Sequence, residues 1–76
     1  MSFSKEIRII RQKAFLTQED FAKEINVSFA TVNRWEAGKT RPEISSMKKI
    51  KQFCNDNILS FDNLQNAWFS MSEEGK

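Results

Sequence analysis

Apolar residues recur at intervals of three and four along most of the chain, a spacing that keeps returning to one face of an α-helix. In the first such stretch, from Ser4 to Lys13, Ile7 and Ile10 share a face with Phe3 and Ala14 nearby, so an amphipathic opening helix is predicted. Thr17 then supplies a hydroxyl N-cap, with Asp20 three residues on, where a capping box would carry Glu or Gln. Phe21, Ala22 and Ile25 are the inward residues that follow. Asn26 ends this second helix, because Asn readily takes the left-handed conformation that stops a helix abruptly. A third helix starts at Ser28: Val32 and Trp35 are spaced to face inward, while Phe29, Ala30, Asn33 and Arg34 fall on the other side.

Beyond Pro42, Ile44, Met47, Ile50, Phe53 and Cys54 mark a fourth helix over about 45–55, with Lys48, Lys49 and Lys51 mostly off its apolar stripe. Ser60 is a candidate cap for a fifth, over about 60–72, in which Phe61, Leu64, Trp68 and Met71 share a face. Ala67 lies between them and Phe69 is offset. The expectation is one all-α domain of five helices over residues 1–76, since no repeat, low-complexity tract or linker divides the chain. Two of its helices are short and meet at a tight turn, where the small Ala22 lets them approach.

That pair, LTQEDFAKEINVSFATVNRWEAGKTRP from Leu16 to Pro42, resembles the helix-turn-helix of the phage Cro and C1 repressor type, the XRE-like group. Counting from Gln18 as the first motif position, Phe21, Ala22, Ile25, Val27, Val32 and Trp35 fill its apolar or small slots. Asn26 stands for the usual Gly. Arg34-Trp35-Glu36-Ala37-Gly38-Lys39, followed by Arg41 and Pro42, is similar to the family's closing signature, and Arg11 sits where an arginine commonly precedes Leu-Thr-Gln. The likeness covers roughly residues 5–55, with the motif itself at about 17–37, and implies a compact lambda-repressor-like DNA-binding domain. Phe15 departs from the pattern, which favours Gly as a helix cap. A Phe at positive φ is costly, so either the first helix ends differently or burial of the ring offsets the strain.

Composition narrows the classes of function. The chain has one cysteine, Cys54, and no histidine, which excludes an internal disulfide and a Cys/His metal set and suits a reducing cytoplasm. No apolar run approaches membrane-spanning length, and the start lacks the apolar core of a signal peptide. The two glycines, Gly38 and Gly75, are far apart and make no phosphate loop, so nothing supports an enzyme, a cofactor or a metal. Scattered carboxylates such as Glu19, Asp20 and Glu24 read as a solvated helix face. Charge is uneven: residues 1–51 carry 11 Lys/Arg against 6 Asp/Glu, net +5, and residues 52–76 carry 1 against 4, net −3. The basic part coincides with the motif, and neutralising phosphates supplies much of the affinity for double-stranded DNA.

By the family's pattern, the major groove would be read by Ser28, Phe29, Ala30, Thr31 and Arg34, with Asn33 adjacent. Arg34 is the first candidate because a guanidinium can donate twice to guanine O6 and N7; the alternative is a phosphate contact. Phe29 and Ala30 would touch thymine methyls or serve packing alone. Trp35 belongs to the core in preference to stacking on a base. Gln18, at a helix start, and Lys39, Thr40 and Arg41, in the loop that follows, would hold the phosphate backbone. The resemblance also implies a buried structural salt bridge between Arg11 and Glu36.

A sequence-specific regulator follows, a repressor by expectation, acting as a homodimer on a roughly palindromic operator. Its dimer contact is assigned to Phe61, Leu64, Trp68 and Met71 within residues 58–71, against the simpler option that this tail closes the monomer's own core. Two rival classes stand beside it. One is an antitoxin whose tail neutralises a toxin protein while the motif autoregulates an operon; the other is an interaction module that keeps the fold without reading DNA.

Overall fold

Five helices make up the computed structural model, which describes the backbone of residues 2–74 and the side chains of residues 2–70; no strand occurs among the described residues. They are α1 (Phe3–Lys13), α2 (Gln18–Glu24), α3 (Phe29–Glu36), α4 (Ile44–Asp56) and α5 (Asp62–Glu74). Helix α3 rests against α1 and α2, and α5 packs on α1. Three starts are fixed by hydroxyl caps: Ser2, Thr17 and Ser28 accept from the backbone N–H of Lys5, Asp20 and Thr31 at 3.2, 3.1 and 3.1 Å. Each satisfies one amide that the first helical turn leaves unpaired, worth about 1 kcal/mol. Ser60 behaves differently from the expectation. Its hydroxyl accepts from the Asp62 N–H at 3.3 Å, but α5 begins at Asp62, two residues on.

Four helices end by the same device. After α1, α2, α3 and α4 one residue takes a positive φ: Phe15 at 59°, Asn26 at 58°, Gly38 at 78° and Ile58 at 56°. In each case that residue's N–H and the next one's return to carbonyls of the closing turn, as in Phe15 to Gln12 and Leu16 to Arg11, or Asn26 to Lys23 and Val27 to Ala22. This is the Schellman arrangement, which turns the residue after the reversal back toward the helix. Leu16, Val27 and Leu59 occupy that following position, and all three pack on the core. The left-handed residue is thereby turned outward. At Gly38 an added Cβ would meet Ser4 Oγ at an ordinary 3.8 Å, so backbone conformation and not space is what calls for glycine.

Phe15 therefore corrects both sequence-based options at once: the helix ends in the left-handed manner, and the ring is 95% exposed, so burial offsets nothing. The anchor is Leu16, whose inward packing dictates the conformation of its neighbour. Non-glycine residues pay about 1–2 kcal/mol for this conformation, partly matched by the extra chain freedom glycine loses on folding. Phe15→Gly is accordingly expected to raise stability by about 0.5–1 kcal/mol, a few degrees in melting midpoint for so small a domain. A thermal melt checks it; a lowered midpoint would mean that the exposed ring makes a stabilising contact.

The core is continuous. Phe3, Ile7 and Ile10 of α1, Phe21 and Ala22 of α2, Val32 and Trp35 of α3, and Met47, Ile50, Phe53 and Cys54 of α4 are all buried, and Phe21 meets Phe53 edge-on at 5.1 Å. Ile44, expected on this stripe, is instead 62% exposed at the first position of α4. Helix α5 completes the set with Leu64, Ala67 and Trp68, at 1%, 2% and 9% exposure. The assignment of Leu64 and Trp68 to a dimer contact is corrected here. Their apolar surface is already covered by the protein's own core, and the Trp68 indole N–H donates to the Pro42 carbonyl at 2.7 Å. Phe61, just ahead of α5, is half-buried against the same core. The side chain of Met71 lies outside the described residues.

Candidate nucleic-acid interface

Helix α3 buries Val32, Trp35 and Glu36 and leaves Phe29, Ala30, Asn33 and Arg34 exposed. With about 100° between successive residues, these four outward positions form one contiguous strip, the side opposite the core. Phe29 is 51% exposed, so core packing does not account for it. Trp35 is 3% exposed and lies in the core. At the start of the helix the hydroxyls of Ser28 and Thr31 pair at 2.8 Å, while Lys39 and Thr40 stand exposed just past its end. Ser28, Phe29, Ala30, Thr31, Asn33, Arg34, Lys39 and Thr40 are thus gathered on and around one short helix.

Its seating depends on a buried charge. Glu36, 4% exposed, accepts from Arg11 Nε at 2.7 Å and Arg11 Nη2 at 3.0 Å, a two-pronged pair that joins α3 to α1. Gln18 Nε2 adds a third hydrogen bond at 3.0 Å from α2. Arg8, one turn before Arg11, approaches the carboxylate at 3.7 Å and donates through Nη2 to the Glu36 carbonyl at 3.2 Å. Arg11 also donates to the Leu16 carbonyl at 2.9 Å. Hydrogen bonding to Glu36 holds the Arg11 guanidinium above its ordinary pKa; burial opposes the shift and charge attraction adds to it. Every buried side-chain polar atom among the described residues has a partner, the condition under which an interior ion pair is tolerable.

Two residues expected on the phosphate backbone are engaged within the protein. The amide of Gln18 bridges Glu36 and Asn33, accepting from Asn33 Nδ2 at 3.1 Å. Arg41 donates to the Trp68 carbonyl at 2.6 Å and lies 3.9 Å from the centre of the Trp68 ring. An aromatic face and a helix carbonyl together hold a guanidinium well, which ties the loop after α3 to α5. Sequence reasoning missed these links and the part of Arg8. For Arg8 a signal existed, since it falls three residues before Arg11 and so on the same side of α1.

Cys54 is fully buried, and desolvation pushes its thiol up to about 11, so it is neither accessible nor ionised near pH 7. No cluster of candidate metal ligands occurs among those residues, and none of their helices is long and apolar enough to cross a membrane.

Comparison with known proteins agrees with this geometry. A family model described as helix-turn-helix matches residues 7–55. Among curated proteins, the HTH-type transcriptional activator BcrR of Enterococcus faecalis is 34% identical over 67 residues, covering 84% of this chain and 33% of that protein. The chain thus spans about a third of the length of that relative. No solved structure gives a significant match. With α2 and α3 inside the matched segment and their outward strip intact, the chain belongs to the Cro/C1-type helix-turn-helix family of transcription regulators.

Proposed function

We propose that this chain binds a specific DNA sequence by setting α3 in the major groove, and so regulates transcription from a nearby promoter in the cytoplasm. The observation that supports the reading best is the exposed strip of Phe29, Ala30, Asn33 and Arg34 on a helix whose opposite side is bolted to α1 and α2 by the Glu36 carboxylate. A rigidly seated helix with donors and apolar groups facing out suits base-edge recognition. Lys39 and Thr40 would contact phosphates and set register. Simple occupancy by such a domain blocks polymerase, so repression is the outcome we assign; activation, the activity in the relative's name, calls for an added contact with the transcription machinery.

Pairing of two copies would match a two-fold symmetric operator. With Leu64 and Trp68 buried, the large apolar groups still exposed outside α3 are Phe15, Ile44, Ile58 and Phe69; of these, Ile44 and Phe69 border a shallow groove of about 280 Å³ between α4 and α5 and are the pair we assign to that contact. Lys48 and Lys51 flank it, and the net −3 of residues 52–76 gives a second copy the complementary charge.

Arg34 and Lys39 separate base reading from phosphate binding. Selection of bound sites from random DNA is expected to return a preferred half-site. Arg34→Ala should flatten preference at one position of it, by about 1–3 kcal/mol. Lys39→Ala should weaken all sequences alike and shallow the salt dependence. Equal loss on every sequence with Arg34→Ala would place that residue on phosphate.

A further inference from the structure

Glu36 offers only acceptors, and its position deep against α1 and α2 fixes the polarity of every group that meets it. Gln18 must present its amide nitrogen to that carboxylate, which it does at 3.0 Å. Its carbonyl oxygen is then left pointing the other way. Asn33 can meet that oxygen only with its own nitrogen, and Nδ2 donates there at 3.1 Å. The polarity set by one buried charge therefore travels through two side-chain amides to the exposed flank of α3. Turning the Asn33 amide over would bring Oδ1 against Gln18 Oε1, oxygen against oxygen.

Asn33 keeps a second Nδ2 hydrogen and Oδ1 free of Gln18, and the residue is exposed one turn beyond Phe29 and next to Arg34. A donor adjoining an acceptor in one plane is the complement of adenine, which presents N7 as acceptor and the N6 amino group as donor in the major groove. Guanine presents two acceptors there. An amide free to rotate could adapt to other edges. Here it is held.

We infer that Asn33 reads an adenine in the major groove and that Gln18 is the positioning residue that sets the orientation of its amide. The inference rests on the reading of α3 as the groove-facing helix. It gives Gln18 a role different from a phosphate clamp, and it makes Asn33 a base reader in its own right beside Arg34.

The test uses the full chain on the half-site returned by selection, with each adenine replaced in turn by 7-deazaadenine, which lacks the N7 acceptor. Wild type should lose about tenfold or more in affinity at one adenine per half-site. Asn33→Ala should bind the natural and the substituted site equally, with the melting midpoint unchanged because the side chain is exposed. Gln18→Met, confirmed as folded by circular dichroism, should lose preference for adenine over the other bases at that position while its salt-dependent binding to unrelated DNA persists. If Asn33→Ala keeps the wild-type response at every adenine, the readout is wrong. If Gln18→Met keeps full preference, the positioning role is wrong. A wild type that selects no sequence at all overturns the proposed function and this inference together, whereas a wild type that selects a site indifferent to adenine N7 overturns only the inference.

Discussion

Glu36→Gln is expected to lower the melting midpoint by more than about 10 °C. The carboxylate receives two hydrogen bonds from Arg11, whose guanidinium can only donate, and one from the Gln18 amide nitrogen. Because Arg11 donates to both carboxylate oxygens, a glutamine there would turn an N–H toward an Arg11 donor and leave the guanidinium, 15% exposed, with its charge unbalanced. Breaking one side of a buried ion pair costs about 3–5 kcal/mol, against a total stability of about 5–15 kcal/mol for a native domain. In a domain of this size each 1 kcal/mol moves the midpoint by about 4–8 °C. Arg11→Met should be similarly damaging, because the carboxylate would keep only Gln18 and the more distant Arg8. Arg8→Ala, in contrast, removes a half-exposed partner at 3.7 Å and should cost no more than about 1 kcal/mol. Equal, small shifts for all three variants in a thermal melt would remove the pair from its structural role.

Trp68→Ala should unfold the protein and not simply separate two copies. The indole is 9% exposed, donates to the Pro42 carbonyl at 2.7 Å and carries the Arg41 guanidinium on its face. Removing it opens a cavity, leaves the Pro42 carbonyl without its donor and takes the aromatic face from Arg41, which keeps only its bond to the main-chain carbonyl of residue 68; the loss is about 3–5 kcal/mol for the ring alone. Trp68→Phe isolates the polar share: most of the ring volume stays while the N–H is lost, for about 1–3 kcal/mol. Melting curves read alongside sedimentation decide the matter. A Trp68→Ala protein that melts like wild type but sediments as a lighter species would return this residue to the intermolecular contact.

The fate of Trp68 shows where sequence stops being informative. Helical spacing correctly marked Phe3, Ile7, Ile10, Phe21, Val32, Trp35, Ile50 and Phe53 as inward, since burial on one side of a helix imposes a period near 3.6. It marked Leu64 and Trp68 as facing something apolar too. Periodicity cannot say whether that surface is the chain's own core or another molecule. Helix starts were legible at Thr17 and Ser28, where a local hydroxyl does the work. Phe15 and Ile58 were not, because their conformation is imposed by the packing of Leu16 and Leu59 next to them.

The outward strip of α3 was also legible, as the remainder once the inward positions are assigned. Gln18 and Arg41 were harder: each carries the donors a phosphate wants, and each found an acceptor inside the protein, 18 and 27 residues away in sequence. Only the fold brings those acceptors within reach. Arg11 and Glu36 were named from the resemblance, not from spacing, since nothing local links residues 25 apart.

The repeated left-handed reversal after α1, α2, α3 and α4 has a kinetic side. Each reversal is closed by hydrogen bonds spanning three to five residues, so the chain can change direction before any distant contact forms. Little loop-closure entropy then stands between the unfolded ensemble and the first helix pairs. Helical domains dominated by local contacts fold in microseconds to milliseconds. A chain made this way reaches its assembled state on that timescale, and after dilution from denaturant its two buried tryptophans, Trp35 in α3 and Trp68 in α5, would report the arrival of its middle and its end separately.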